Sequence, residues 1–171
     1  MTGSTGGRTT ARHPSPGPHN SLWYWNRILR PWRVAFNYAL MVLARPCPSL
    51  RLKNWLYRRM GAQVGAHVSV GLEVTLDIFY PELVSIGDDT IVGFRTTILC
   101  HEFLHGEYRT APVRIGKRVT IGANCTILPG VTIADDSVVS AHSLVNRDVA
   151  GFVGGVPARP LGKRMEADQN P

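Results

Sequence analysis

Between Leu99 and Arg114 the chain gathers groups that can move protons: Cys100, His101, Glu102, His105 and Glu107. An imidazole titrates near neutrality, so it can take a proton from a hydroxyl or amine and return it within one cycle. A base of this kind typically contributes about 10²–10⁴-fold to a rate. A neighbouring carboxylate, Glu102 or Glu107, or a backbone carbonyl would hold the ring in one tautomer. His101-Glu102-Phe103-Leu104-His105 also fits H-E-x-x-H, in which two histidines on one helix face bind zinc and the glutamate is the base. That second chemistry requires a helix, a third ligand and an open coordination position. His101 is the first candidate base and His105 its rival, while Cys100 is expected to be a small core-facing residue.

The elements that must hold this stretch are written on both sides of it. From Val64 onward an aliphatic residue recurs every six positions, often followed by a small one. The first run is Val64, Val70, Leu76; the second is Ile86, Val92, Ile98; the third is Ile115, Ile121, Ile127, Ile133, Val139, Val145. The position four after each aliphatic is compact, from Val68 and Val74 to Ser143 and Val149. A period of six fits neither a helix nor an alternating strand. It predicts a parallel β-helix in which each hexapeptide forms one short face and three make a coil. No coil buries its aliphatics alone, so the coils must stack. The phase breaks twice, with a step of ten from Leu76 to Ile86 and of seventeen from Ile98 to Ile115. The second break is the His101 stretch, which reads as a loop, 99–114, on a rigid scaffold. Coils on either side leave no place for the helix that zinc binding needs. His13, His19, His67 and His142 are expected to be solvent-facing or structural.

Residues 1–60 carry ten Lys+Arg and no acid, whereas residues 61–171 carry nine basic and twelve acidic residues. The basic character belongs to the N-terminal third, so the acidic body argues against a nucleic-acid partner. Residues 1–20, rich in Gly, Ser, Thr and Pro, are expected to be a disordered basic tail. Residues 21–60 read as a helical segment: one helix over 22–44 with a boundary or kink at Pro31, and a second from Ser49 to Met60, stopped by Gly61. The β-helix then spans 61–163, with a C-terminal tail at 164–171. Three cysteines without ligand spacing, no apolar h-region and no long apolar run place the chain in the cytoplasm. The four Trp and eight of the basic residues lie in 21–60. That segment is expected to cap the open end of the prism, with peripheral membrane contact as an added role.

Three further stretches carry a resemblance: Ile121 to Ile133 (IGANCTILPGVTI), Ser143 to Val149 (SLVNRDV) and Gly154 to Pro160 (GGVPARP). With the hexapeptide phase and the His-bearing loop, the chain resembles the hexapeptide-repeat acetyltransferases, the group of maltose, galactoside and nodulation-factor O-acetyltransferases. The resemblance implies a mainly β protein, a left-handed parallel β-helix with a short N-terminal α-helical segment, working as a homotrimer with sites between subunits. It implies acetyl-CoA as donor, His101 as general base on a sugar or glycan hydroxyl or amine, and no metal. Donor contacts are implied for Ala123, Ala141, Asn146, Arg147 and Arg159, with Lys163 and Arg164 extending the basic end toward the CoA phosphates. Asn146-Arg147 stands where the family has Thr-Lys, and Arg95 where it often has an acceptor-contacting Asn. Three rivals stand beside this reading. The first is a non-catalytic hexapeptide trimer, and the second a zinc hydrolase using His101, Glu102 and His105. The third, a γ-class carbonic anhydrase, needs histidines on successive coils that His101, His105 and His142 do not provide.

Overall fold

A computed structural model describes residues 2–5 and 8–162. Two strands open the chain, β1 (Thr2–Thr5) and β2 (Arg8–Pro14). A 3-10 turn over Ser21–Tyr24 leads into α1 (Trp25–Ile28), α2 (Pro31–Ala44) and α3 (Leu50–Met60). The helix expected over 22–44 divides at Pro31, so the boundary and not the kink is what forms there. Leu29 and Arg30 are extended, because the residue before a proline is pushed out of the helical region, and Pro31 starts α2 afresh. The Ser49 side chain caps α3 by accepting from the Leu52 amide, and Gly61, at φ 117°, ends it.

The prism follows as short strands. The first coil is β3 (Gln63–Val64), β4 (Ser69–Val70) and β5 (Thr75–Leu76); the second is β6 (Val84–Ile86), β7 (Ile91–Val92) and β8 (Thr97–Ile98). A hairpin, β9 (His101–Phe103) and β10 (Glu107–Thr110), interrupts them. The third coil is β11 (Val113–Ile115), β12 (Thr120–Ile121) and β13 (Thr126–Ile127); the fourth is β14 (Thr132–Ile133), β15 (Val138–Val139) and β16 (Leu144–Val145). β17 (Phe152–Gly154) and an antiparallel β18 (Arg159–Pro160) close the end.

Strands from successive coils pair in parallel to form three faces: β3-β6-β11-β14, β4-β7-β12-β15-β17 and β5-β8-β13-β16. The register is the one the hexapeptide phase predicts. Val64, Ile86, Ile115 and Ile133 stack; so do Val70, Val92, Ile121 and Val139, and Leu76, Ile98, Ile127 and Val145. All twelve are buried. The small residue after the aliphatic is required by the stacking of coils. A Cβ on Gly93 would lie 2.5 Å from the Gly122 carbonyl carbon of the next coil, so it is coil-on-coil approach that excludes a side chain. The turn itself falls two residues later, on left-handed non-glycine residues such as His67, Arg95, Asn124 and His142.

Next to the short strands, amides donate to carbonyls of the following coil, as Gly65 does to Ile86 and Gly87 to Ile115. At the corners the direction reverses, as Asp89 donates back to Ala66 and Asn124 to Phe94; no earlier coil meets the outward carbonyls of the first. The first coil is thus left with unpaired carbonyls, and a buried carbonyl without a donor is costly. α3 lies across that edge and presents donors. Lys53 Nζ reaches the Val70 and Gly71 oxygens, Asn54 the Val68 oxygen, Tyr57 the Val74 oxygen, and Arg58 the Val64 and Gly65 oxygens. This is why a helix with four polar donors over 53–58 follows the basic segment. Tyr57 is fully buried, and its hydroxyl donates at 3.1 Å. Tyr57→Phe is expected to cost about 1–3 kcal/mol, seen as a lower urea midpoint, because it orphans the Val74 carbonyl. An unchanged midpoint would mean water replaces that bond.

Within the tail expected to be disordered, residues 8–14 form a strand. β2 pairs antiparallel with β10, and β10 with β9, in a four-stranded sheet of order β1-β2-β10-β9. The expected loop, 99–114, is thus a hairpin bound to the chain's own start. Composition missed this because the pairing is long-range: Arg8 is buried, donates to the Pro129 carbonyl at 3.1 Å and pairs with Glu102 at 2.9 Å. His13 stacks on Tyr108 at 4.6 Å. Gly130, at φ 80°, lets this strand pass; a Cβ there would come within 2.8 Å of the Thr9 carbonyl oxygen.

Candidate active site

Asp77 is the residue that sequence reasoning missed. It directly follows Leu76, whose partner across the coils is Ile98, so the backbone stacking brings it beside Cys100 and His101. Its carboxylate is wholly buried while the His101 ring is 15% exposed, and Asp77 Oδ2 lies 2.5 Å from His101 Nδ1. The same Oδ2 accepts from the Cys100 amide at 2.7 Å, and Oδ1 accepts from the amides of Phe79 and Tyr80 at 2.8 and 2.9 Å. Burial pushes the carboxyl upward, but the bond to His101, its charge and the Tyr80 and Cys100 amides outweigh burial and hold Asp77 below its ordinary value. The carboxylate can only accept, so Nδ1 carries the hydrogen and Nε2 carries the lone pair. Phe79 meets the ring edge-on at 4.9 Å and Phe103 lies at 5.0 Å, fixing its plane.

The tautomer-holding role expected for Glu102 or Glu107 therefore belongs to Asp77. Glu102 is taken by Arg8 and lies 3.9 Å from Arg109, and Glu107 pairs with Arg109 at 2.5 Å. The readable signal was the other break in the repeat, which begins at Asp77 as the His101 loop begins one coil later.

His105 is exposed at the hairpin tip. His101 lies on strand β9 and not on a helix, so the H-E-x-x-H letters never form the one-face pair that zinc needs. Cys100 is buried, and burial pushes its thiol up to about 12, as an inert core residue requires. A depressed carboxyl stabilises the fold above its unfolded value, and that stabilisation is lost as pH falls through the lower folded value. Acid unfolding, followed by circular dichroism below about pH 4, should accordingly be less steep in Asp77→Asn.

The expected donor residues fall into two groups. Ala123 and Ala141 stack at one prism edge: a Cβ on Gly93 would lie 2.7 Å from the Ala123 nitrogen, and one on Gly122 2.7 Å from the Ala141 Cα. The result is a stripe without large side chains, and Arg159, paired opposite Gly154 and exposed, borders it. Asn146 and the exposed Arg147 sit instead at the next edge, after β16, above the edge that carries Asp77 and His101. The Asn146 Oδ1 is buried with no hydrogen-bond partner among the described residues. Arg95 is exposed at a corner, 6.0 Å from the Phe94 ring centroid. Lys163 and Arg164 lie outside the described residues.

The bacterial transferase hexapeptide family, described as six repeats, matches residues 112–147. A Bacillus subtilis (strain 168) protein that bears an acetyltransferase name, YvoF, is 46% identical over 165 residues, covering 95% of each chain. The galactoside O-acetyltransferase of Escherichia coli (strain K12) is 30% identical over 129 residues, 68% of this chain and 64% of that one. A solved galactoside acetyltransferase in complex with coenzyme A matches at TM-score 0.60 and 26% identity, covering 75% of this chain and 79% of that one. On the strength of the repeat, the stacked coils and these relatives, the chain belongs to the hexapeptide-repeat acetyltransferases.

Proposed function

We propose that this chain moves an acetyl group from acetyl-CoA to a hydroxyl or amine of a sugar or glycan acceptor, with His101 as general base. The observation that carries the reading is the pairing of His101 Nδ1 with the buried Asp77 carboxylate, which leaves the lone pair on Nε2. Nε2 takes the acceptor proton as the acceptor oxygen or nitrogen bonds to the acetyl carbon. It returns that proton to the sulfur as the thioester carbon–sulfur bond breaks, so the ring ends the cycle neutral. Asp77 stabilises the imidazolium in between. Backbone amides at a corner supply donors where negative charge grows on the carbonyl oxygen.

The donor residues fit the elongated, amide-bearing and phosphorylated CoA. The Ala123–Ala141 stripe admits a narrow chain, Asn146 has an amide oxygen without a partner among the described residues, and Arg147 and Arg159 offer cations. In one chain His101 and the Ala stripe lie on different prism edges. A left-handed helix assembled as a homotrimer would bring one subunit's stripe against its neighbour's His101, completing the groove. Light scattering should show a trimer, and a stable monomer at micromolar concentration overturns this assembly. Arg95 at the acceptor corner favours an acidic or larger acceptor over a maltose- or galactoside-like one.

Thiol release from acetyl-CoA across an acceptor panel tests the reaction, and no release with any hydroxyl or amine acceptor counts against it. Arg147→Ala and Arg159→Ala should each raise the KM for acetyl-CoA by about 10-fold, the order expected on losing a charge-assisted hydrogen bond. The effect should shrink with dephosphorylated donor. Unchanged KM in both variants would put the phosphates elsewhere.

A further inference from the structure

The α2 helix buries one face, Val34, Asn37, Met41 and Ala44, packing on α3 and bonding to the 77–83 segment through Asn37. The opposite face carries Trp32, Ala35, Phe36, Ala39, Val42 and Leu43, all exposed, with Trp32 at 66% and Leu43 at 62%. No charge interrupts that stripe, since Arg33, the sole charged residue within α2, leans aside to Glu82 at 2.8 Å. A helix apolar on both faces is out of place in water. At 14 residues α2 extends about 21 Å, and no helix among the described residues is long and apolar enough to cross a membrane. It can lie along an interface but not span one.

The surroundings specify what covers it. Residues 21–60 contain no acid. Arg27, Arg30, Arg51 and Arg59 are exposed and have no carboxylate partner among the described residues. Exposed Trp23 and Trp55 flank the same helices, with Arg59 lying over the Trp55 ring. Apolar anchors, interfacial tryptophans and unpaired cations together match an anionic lipid surface, where each basic group strengthens adsorption by about five-fold. A second copy is a poorer fit. Among the exposed carboxylates of the described residues, Glu82 and Asp136 are paired with Arg33 and Arg118, and Asp135 and Asp148 accept from the Lys117 and Thr132 amides, which leaves Asp89 to face four arginines.

Through its buried face the helix also adjoins the site. Asn37 Nδ2 donates to the Ile78 carbonyl at 2.8 Å, and Trp25 lies 6.2 Å from Phe79, which itself packs on His101. One segment, 77–83, thus carries α2 on one side and the candidate base on the other. We infer that α2 seats on an anionic bilayer surface and that the adjoining His101 site draws its acceptor from that bilayer, as a lipid-borne hydroxyl or amine. The choice of acceptor rests on the acetyl-transfer reading above; the docking does not.

The test is co-sedimentation of the full chain with vesicles of phosphatidylcholine alone and with one quarter phosphatidylglycerol, at low and high salt. Binding should appear on the anionic vesicles at low salt. It should weaken at least tenfold in Trp32→Glu/Leu43→Glu, and several-fold in Arg27→Ala/Arg30→Ala or at high salt. The substituted residues are exposed, so melting temperature and acetyl-CoA affinity should not move. No binding by the wild-type chain to anionic vesicles overturns the docking. So does an oligomer that loses mass in Trp32→Glu/Leu43→Glu without vesicles, which would make a second copy the occupant. Vesicle binding without thiol release leaves the docking standing and removes the acetyl-transfer reading. Thiol release that is faster with a soluble sugar than with an amine- or hydroxyl-bearing lipid in the vesicles removes the lipid acceptor.

Discussion

His101→Ala lowers kcat by about 10²-fold or more and leaves acetyl-CoA affinity nearly unchanged. Among the described residues the ring is the one imidazole held by a buried carboxylate, and it lies on a different prism edge from the Ala123–Ala141 stripe, so its loss acts on proton transfer and not on donor binding. The measurement is steady-state kcat alongside a calorimetric Kd for acetyl-CoA. His105→Ala, at the exposed hairpin tip, serves as the control. If His105→Ala is inactive and His101→Ala active, the base has been misassigned.

Asp77→Asn lowers kcat by a comparable factor, about 10²-fold or more, through the tautomer. The Asn side chain is the same size, and its oxygen can keep the two amides of Phe79 and Tyr80. The NH₂ group must then face the Cys100 amide and His101 Nδ1. Nδ1 becomes the acceptor, the hydrogen moves to Nε2, and the lone pair is turned away from the acceptor hydroxyl. Nitrogen-15 NMR of the His101 ring reports the tautomer directly. An Asp77→Asn enzyme with the hydrogen still on Nδ1 and undiminished kcat would reduce Asp77 to a structural residue.

The prism was legible because its cause is local and repeated: one aliphatic every six residues, each stacked on the next coil in the register that the phase dictates. Ser49 and Gly61 likewise marked the ends of α3 by their own chemistry. Asp77 was not legible as a partner of His101, since 24 residues separate them and only the stacking of Leu76 on Ile98 brings them together. The start of the chain was misread for a related reason. Small polar residues between 8 and 14 bury little alone, and their strand exists because β10 offers an edge and Glu102 a counter-ion for Arg8. Sequence pattern reports what a segment can bury by itself; it is silent about an edge provided a hundred residues away.

Each end of the prism is an open sheet edge, one under α3, whose donors meet the first coil's outward carbonyls, and one closed by residues 149–161, where the Gly151, Val153 and Gly155 carbonyls receive the last coil's amides. Bare rims of this kind would fit head to tail, because the top of one molecule has the groups that the bottom of another lacks. Stacking in that sense does not close, so it would yield open filaments in place of finite assemblies. The four donors of α3 therefore act as a chain terminator as well as a stabiliser. A form lacking residues 1–60 should elongate into fibres visible by electron microscopy, at a rate set by its concentration.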